Sequence, residues 1–157
     1  MVARLASAVL AGLVIGIAFM IFFAVATTCA GFVQRPTMKL LVSQSQYIGI
    51  GGSMNTKCFH ADGSFTVPEE RINLTRGSEI SLAAWRYSQP DSLELRAESL
   101  TQYGDDEFVY HLKKSGNSLQ YIVDVPADDY ALVVDAEWDD ENLPVSRSIY
   151  YFRLVVS

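Results

Sequence analysis

The chain has 157 residues, 50% of them apolar, which is enough to bury one hydrophobic core but not two large ones. Of its twelve Lys and Arg residues only Arg4 precedes the apolar N-terminal stretch, so the remainder carries eighteen Asp and Glu against eleven cations and is net negative by about seven. Nucleic acids and anionic lipid surfaces are bound by clustered Lys and Arg, so this composition argues against both as partners of the part that follows the apolar stretch.

Residues 5–26 form an uncharged apolar segment at the N-terminus. A helix rises 1.5 Å per residue, so about 20 residues cross a hydrocarbon core of roughly 30 Å. The segment is long enough for this, and we expect an uncleaved transmembrane anchor with Arg4 on the inner side and the rest of the chain on the extracytoplasmic side. Two alternatives stay open. One is a cleaved signal, and the other is a lipoprotein acylated on Cys29.

The expected domain boundary follows this segment. Residues 1–33 are predicted to be the anchor or signal segment, and residues 34–157 an extracytoplasmic domain. Within the segment, Ala8, Gly12 and Gly16 place small side chains on one helix face. Such a face allows a second membrane helix to approach closely, although Ala and Gly are also common in membrane segments that have no partner.

Short runs of β-branched and aromatic residues, separated by Gly, Asn, Asp, Ser and Pro, follow from Met38 onward and are typical of strands. Alternation is clearest in 92–98, where Leu93, Leu95 and Ala97 share one face, which predicts a half-buried strand. No stretch after residue 38 has a sustained helical period, so an all-β fold with antiparallel sheets is predicted. The predicted strands are 39–43, 46–50, 78–86, 92–100, 107–113, 118–125, 130–138 and 148–156.

The stretch from Val125 to Trp138 carries the most specific structural signal. Pro126 and Tyr130 lead into an apolar run, and this resembles the entry into the penultimate strand of immunoglobulin-like and fibronectin-type sandwiches, where a tyrosine hydroxyl closes a corner against nearby backbone. The resemblance implies an immunoglobulin-like sandwich of about seven to eight strands, with Tyr130 at the corner and a final hairpin across an acidic loop. It names no family, because many unrelated functions share this fold.

Cys29 and Cys58 would both face an oxidising compartment if the anchor is retained, so a disulfide between them is allowed. Met54, Cys58 and His60 are potential copper ligands, but their order along the chain differs from that of known copper loops, and His111 is the only other histidine. No pair of Cys or His residues has the spacing of a zinc site. We therefore expect no cofactor. Asn73-Leu74-Thr75 is a formal glycosylation sequon in the exported part.

The acidic loop between the last two predicted strands contains Asp139, Asp140, Glu141 and Asn142, whose hard oxygens are weak candidates for calcium. The loop lacks the alternating Asp ladder of a dedicated calcium site. A solvated hairpin tip is the favoured interpretation.

Catalytic motifs are missing from the sequence: it has no Gly-x-Ser-x-Gly elbow, no His-Glu-x-x-His and no phosphate-binding loop, so we expect no enzyme. The predicted function is a membrane-anchored extracytoplasmic binding or assembly module, an accessory subunit that contacts another protein. The alternatives are a lone tethered or secreted module that recognises a protein or glycan, and a calcium- or copper-binding envelope protein. The proposed contact residues are aromatic: Trp85, Tyr87, Tyr103, Tyr110, Tyr150 and Tyr151.

Overall fold

The computed structural model describes Ile17, Met20 and residues 34–56, 60–85, 88–102, 108–115, 119–139 and 145–157. Contacts along the chain divide it into two units, Met1–Val33 and Gln34–Ser157. Ile17 and Met20 are helical. Among the described residues, no helix is both long and apolar enough to cross a membrane. Most of the predicted segment 5–26, including Ala8, Gly12 and Gly16, lies outside the described residues.

Twelve strands lie in the described part of the second unit. They are β1 (Thr37–Val42), β2 (Ser45–Ile48), β3 (Ile50–Thr56), β4 (His60–Ala61), β5 (Arg71–Leu74), β6 (Ser78–Trp85), β7 (Ser92–Ser99), β8 (Val109–His111), β9 (Lys113–Lys114), β10 (Gln120–Val123), β11 (Asp128–Glu137) and β12 (Val145–Val156).

These strands form two sheets. Sheet A has the order β2-β1-β6-β10-β9, and sheet B has the order β4-β3-β12-β11-β7-β8 with β5 beside β12. The pairs are antiparallel except for β5 with β12, which is parallel. The prediction of an all-β fold built from antiparallel sheets is confirmed, and the arrangement is sandwich-like.

Sheet A buries one face and exposes the other. Met38 and Leu40 of β1 are fully buried, whereas Lys39 between them is half-buried. Residues directly opposite each other on antiparallel strands share a face. Leu40 therefore lies beside Leu82 on the buried side, and Lys39 lies beside Ile48 on the outer side.

Sheet B is built around β11 and β12, and their hairpin matches the final hairpin predicted from the sequence, with Tyr130 opposite Leu154 and Ala136 opposite Ser148. β11 occupies one edge of β12. On the other edge, β3 pairs with the first part of β12, and β5 pairs with residues 153–156. Consecutive residues of β11 from Tyr130 to Val134 are all buried, so the centre of sheet B is covered on both faces.

Tyrosine hydroxyls connect the two sheets across the core. The hydroxyl of Tyr121 in β10 donates to the carbonyl of Leu93 in β7 at 3.3 Å. The hydroxyl of Tyr150 in β12 donates to the carbonyl of Pro36, just before β1, at 2.7 Å. Both rings are nearly inaccessible to solvent. A buried tyrosine normally finds such a partner, and here the partner belongs to the opposite layer or its entry segment.

Replacing Tyr150 by Phe is expected to lower the free energy of unfolding by about 1 kcal/mol, the typical net worth of one hydrogen bond. The ring keeps its packing, so the loss reports the bond to Pro36. Urea unfolding of the full chain in detergent measures it. The matched control is Tyr47→Phe in β2, whose ring is only half-buried and for which we expect a change near zero. Equal effects of the two substitutions would contradict this role for the Tyr150 hydroxyl.

The entry into β11 is closed by Tyr130. Its hydroxyl donates to the carbonyl of Pro126 at 2.9 Å, and its ring meets that of Tyr110 edge to face at 5.9 Å between centroids. Burial, together with the electrostatic influence of nearby Tyr110 and Asp128, raises the pKa of Tyr130 to about 12. The phenol therefore stays protonated and able to donate.

The strand count differs from the seven or eight predicted, because four strands were not recognised. β4 and β9 have two residues each, β5 has four, and β3 contains Gly51 and Gly52. Such segments carry little β propensity of their own and are held by the strands beside them.

The predicted strand 107–113 is also wrong as a single element. β8 pairs with β7 in sheet B, while β9 pairs with β10 in sheet A, so the chain changes sheets at Leu112. The Leu112 N–H donates to the Leu95 carbonyl at 3.0 Å, which holds the crossing point against β7. The sequence pattern continues without a break through this crossing, so it does not indicate where the chain passes from one sheet to the other.

Candidate functional site

The outer side of sheet A carries the most prominent exposed apolar surface in the described part of the second unit. We define the Trp85 face as Lys39, Leu41, Ile48, Ala83, Trp85 and Ile122. The strand registers place these side chains on one side, because Lys39 lies opposite both Ile48 and Ala83, and Thr37 lies opposite Trp85. The opposite side of the same strands is core, so the alternation of β1, β6 and β10 forces this surface outward.

Trp85 and Ile48 dominate the face. Their exposed fractions are 50% and 64%. Ile122, which is 39% exposed, is on the same side but lies at the other end of β6, opposite Glu79. Single exposed apolar residues are ordinary on protein surfaces, but neighbouring large ones mark contact sites. Tryptophan is also the residue type that most often contributes strongly to binding energy when it becomes buried between proteins.

Lys39 is positioned by two contacts on this face. Its ammonium nitrogen lies 4.0 Å from the ring centroid of Trp85 and donates to the side-chain oxygen of Gln46 at 3.2 Å. A cation over an indole face is attracted to the ring electrons, which contributes about 0.5–1 kcal/mol at an exposed site. This contact holds the Trp85 ring and the Lys39 ammonium group together, so the surface presents an exposed aromatic ring with a cation beside it.

Two open hollows lie on the same side of sheet A. One is lined by Thr37, Lys39, Ile48 and Trp85. The other is lined mainly by polar and charged groups at the β1–β2 turn and the start of β6, including Ser43, Glu79 and Ser81. Both are shallow surface features. They are suited to side chains of another macromolecule rather than to enclosing a small substrate.

Charge is distributed unequally between the two sheets. The strands of sheet A contain Lys39, Lys113 and Lys114 against the single carboxylate of Glu79, although the chain as a whole has a formal net charge of −6. Lys113 lies opposite Ile122 and therefore on the side of the Trp85 face. Glu79 lies opposite Ile122 and is on this side too, so the strands contribute two cations and one carboxylate to it, although the protein as a whole is acidic.

The outer side of sheet B is different, because its charges pair with one another. Arg147 contacts Asp135 at 2.5 Å and Glu137 at 3.5 Å, and Arg153 contacts Asp129 at 2.6 Å. The hydrogen bond and charge of Asp135 raise the pKa of Arg147, which stays cationic throughout the accessible pH range. These pairs are partly exposed and leave little uncompensated charge for a ligand.

Asp128 lies at the start of β11 among hydroxyl groups. Its carboxylate accepts hydrogen bonds from Ser99 Oγ at 2.6 Å, Thr101 Oγ1 at 2.8 Å and the Asp129 N–H at 2.8 Å. Partial burial acts to raise the pKa of Asp128, but these bonds to the charged form outweigh it, and the pKa lies below its ordinary value of 3.8. The cluster is internally satisfied and ties β7 to β11.

Of the residues considered for metal binding, those that the structure describes are not brought together. Asp139 is exposed, and its N–H donates to Asp91 Oδ2 at 2.8 Å; Asp140, Glu141 and Asn142 lie outside the described residues. Met54 is buried in the core, while the exposed His60 ring contacts Asn55 and Asp62. Within the described ranges, no group of three or more His, Cys, Asp or Glu residues is placed to hold a metal ion.

Other residues that the sequence marks as candidate sites also lie outside the described residues. Cys29 and Cys58, weighed as a disulfide, are not among the described residues, nor are Tyr87 and Tyr103.

The remaining aromatic contacts proposed from the sequence separate into two groups. Trp85 is exposed. Tyr150 and Tyr151 are buried and Tyr110 is half-buried, so none of these three offers a free aromatic surface. Lys39, Ile48 and Ile122 were not singled out by sequence reasoning. The only sequence signal for them was their alternation with buried residues in β1, β2 and β10, which does not indicate which other strand lies alongside.

The chain matches no protein family model, and comparisons with curated proteins and with solved structures find no significant match either.

Proposed function

We propose that this chain is a membrane-anchored extracytoplasmic binding module, an accessory subunit of a membrane or cell-surface complex, and that it holds a partner protein on the Trp85 face. The observation that supports this most directly is the exposed Trp85 ring beneath Lys39 and beside Ile48. The anchor and the extracytoplasmic location are inferred from the apolar segment 5–26 and the charge pattern around it.

The chemistry of the face defines the partner. A protein surface that buries Trp85 and Ile48 needs an apolar patch of its own, and it must offer a carboxylate to Lys39 beside them. Charge complementarity of this kind directs association and fixes orientation more than it adds affinity. The partner we propose is therefore a protein with an apolar patch bordered by Asp or Glu.

The finer fold assignment, an immunoglobulin-like sandwich, is part of the same proposal. The corner bond from Tyr130 to Pro126 supports it, because such a bond precedes the penultimate strand in that fold. The parallel pair of β5 with β12 does not itself distinguish between sandwich types.

Purification of the full-length chain from its own membranes in mild detergent tests this function. We expect a co-migrating membrane or surface protein that is lost in Trp85→Ala and in Ile48→Ala. Ile50→Ala is the matched control, since Ile50 is also exposed, at 40%, but belongs to β3 of sheet B. The complex should survive that substitution.

Two results would count against the proposal. A monodisperse monomer would favour the lone tethered module, and a complex indifferent to both Trp85→Ala and Ile48→Ala would remove the Trp85 face from the contact. Each variant must retain the emission of a buried tryptophan as evidence that the domain is folded, because Trp138 is buried and its indole N–H donates to the Ser88 carbonyl at 3.0 Å.

A further inference from the structure

The triplet Asn73-Leu74-Thr75 is the only Asn-x-Ser/Thr sequon in the chain, and the structure places it on the surface. In β5, Ile72 and Leu74 point into the core, with exposed fractions of 2% and 5%, while Arg71 and Asn73 are exposed. Alternation along the strand therefore directs the Asn73 carboxamide to solvent. Within the part of the chain that the structure describes, that carboxamide has no side-chain hydrogen bond to give up.

Thr75 leads the chain directly into a turn. The Ser78 N–H donates to the Thr75 carbonyl at 3.0 Å, and Gly77 has φ +84°, the left-handed value that the third position of a type II turn requires. The Thr75 side chain is exposed, with its hydroxyl 3.1 Å from that of Ser78. Acceptor asparagine and sequon hydroxyl thus lie at the exposed end of a strand, where a large substituent meets no core residue.

β5 also lies at an edge. Among the described strands it pairs only with β12, through Asn73 opposite Val155, so its other side has no strand beside it. Exposed strand edges attract other strands, and proteins commonly cover or charge them. A bulky hydrophilic group on Asn73 would cover this edge, and the fold accommodates it without rearrangement.

We propose that Asn73 is a site of N-linked glycosylation. The inference rests on the extracytoplasmic location in the proposed function, because the transfer takes place on that side of the membrane. The sugar donor is an oligosaccharide linked to a polyprenyl phosphate or diphosphate. The bond between its first sugar carbon and the phosphate oxygen breaks, a bond from that carbon to Asn73 Nδ2 forms, and the amide proton leaves with the lipid phosphate.

Mass spectrometry of the full-length protein from its own cells tests the assignment. Trypsin cleaves after Arg71 and Arg76, so the site lies in a five-residue peptide, 72–76. We expect this peptide to carry a glycan mass that is lost in Asn73→Gln and in Thr75→Ala. Thr75→Ser keeps the sequon and should retain the glycan, which distinguishes modification of this sequon from a general effect of altering the turn.

Protease digestion of cells stripped of any wall or outer membrane, run in parallel, separates the two ways in which the glycan can be missing. A domain that is digested from outside but has an unmodified 72–76 peptide overturns the glycosylation inference and leaves the proposed location intact. A domain that is protected and unmodified overturns the location and the inference together. A glycan mass that persists in Asn73→Gln would assign the modification to another residue and overturn the site.

Discussion

Replacing Phe152 by Ala is expected to lower the free energy of unfolding by about 3–5 kcal/mol, the range typical of a buried phenylalanine. Phe152 is 2% exposed and lies opposite Leu132 of β11. Its ring also fills the space above Gly49, where an added Cβ would lie 2.7 Å from the ring Cζ. Truncation therefore opens a cavity where sheet B meets the β2–β3 connection, and the surrounding strands cannot easily collapse into it.

Urea unfolding followed by tryptophan emission measures this loss, because Trp138 is buried in the folded domain and becomes exposed on unfolding. Phe65→Ala is the matched control, because Phe65 is the same residue type, is 37% exposed and contacts Tyr151 edge to face at 5.0 Å. For this control we expect about 0.5–1.5 kcal/mol, the worth of an aromatic pair. If the two substitutions cost the same, Phe152 does not occupy the centre of the core as described.

Asp128→Asn is expected to lower the free energy of unfolding by about 1.5–3 kcal/mol near neutral pH, because hydrogen bonds to a charged group are the strong ones. The amide keeps the size of the side chain but offers only one acceptor oxygen to Ser99, Thr101 and the Asp129 N–H. The matched control is Asp124→Asn. It removes the same charge from an exposed ion pair with Arg76, for which we expect 0–1 kcal/mol.

The pH dependence gives this prediction a distinct signature. The pKa of Asp128 is lower in the folded state than in the unfolded chain, so its stabilisation is fully present above the unfolded value, about 3.8, and is lost as the pH falls through the folded value. The stability difference between the native chain and Asp128→Asn should be constant from about pH 5 to 7 and shrink below about pH 4. A difference that instead grows on acidification would refute the assignment.

Much of the fold could be predicted because local patterns agree with the pairing. Leu95 and Ala97 alternate with charged neighbours and are buried as expected, and the β11–β12 hairpin follows from two long apolar runs around an acidic loop. The short strands could not be predicted. β5 contains only Arg71, Ile72, Asn73 and Leu74, and it is a strand because β12 has an open edge beyond the end of β3.

The candidate site was only partly predictable, for a physical reason. Trp85 was named as a contact residue, but Tyr150 and Tyr151 were named with it, and both are buried. Neighbouring residues of a strand point to opposite faces, so only a strand covered on both sides buries two in succession. The sequence does not show that β12 is covered on both sides. Likewise Lys39 meets Trp85 only because β1 pairs with β6, a contact between residues far apart in the chain.

The position of β12 also affects the order of events during synthesis. β3, β5 and β11 all pair with this last strand. Among the described strands, β3 has only β4 beside it, and β5 has no partner, until residues 145–156 have emerged. Sheet B is therefore assembled late, through contacts of long sequence separation, which slow folding. During that interval the Gly-rich β3 and the short β5 are open strands, and a chain released before Val145 would leave sheet B without its centre.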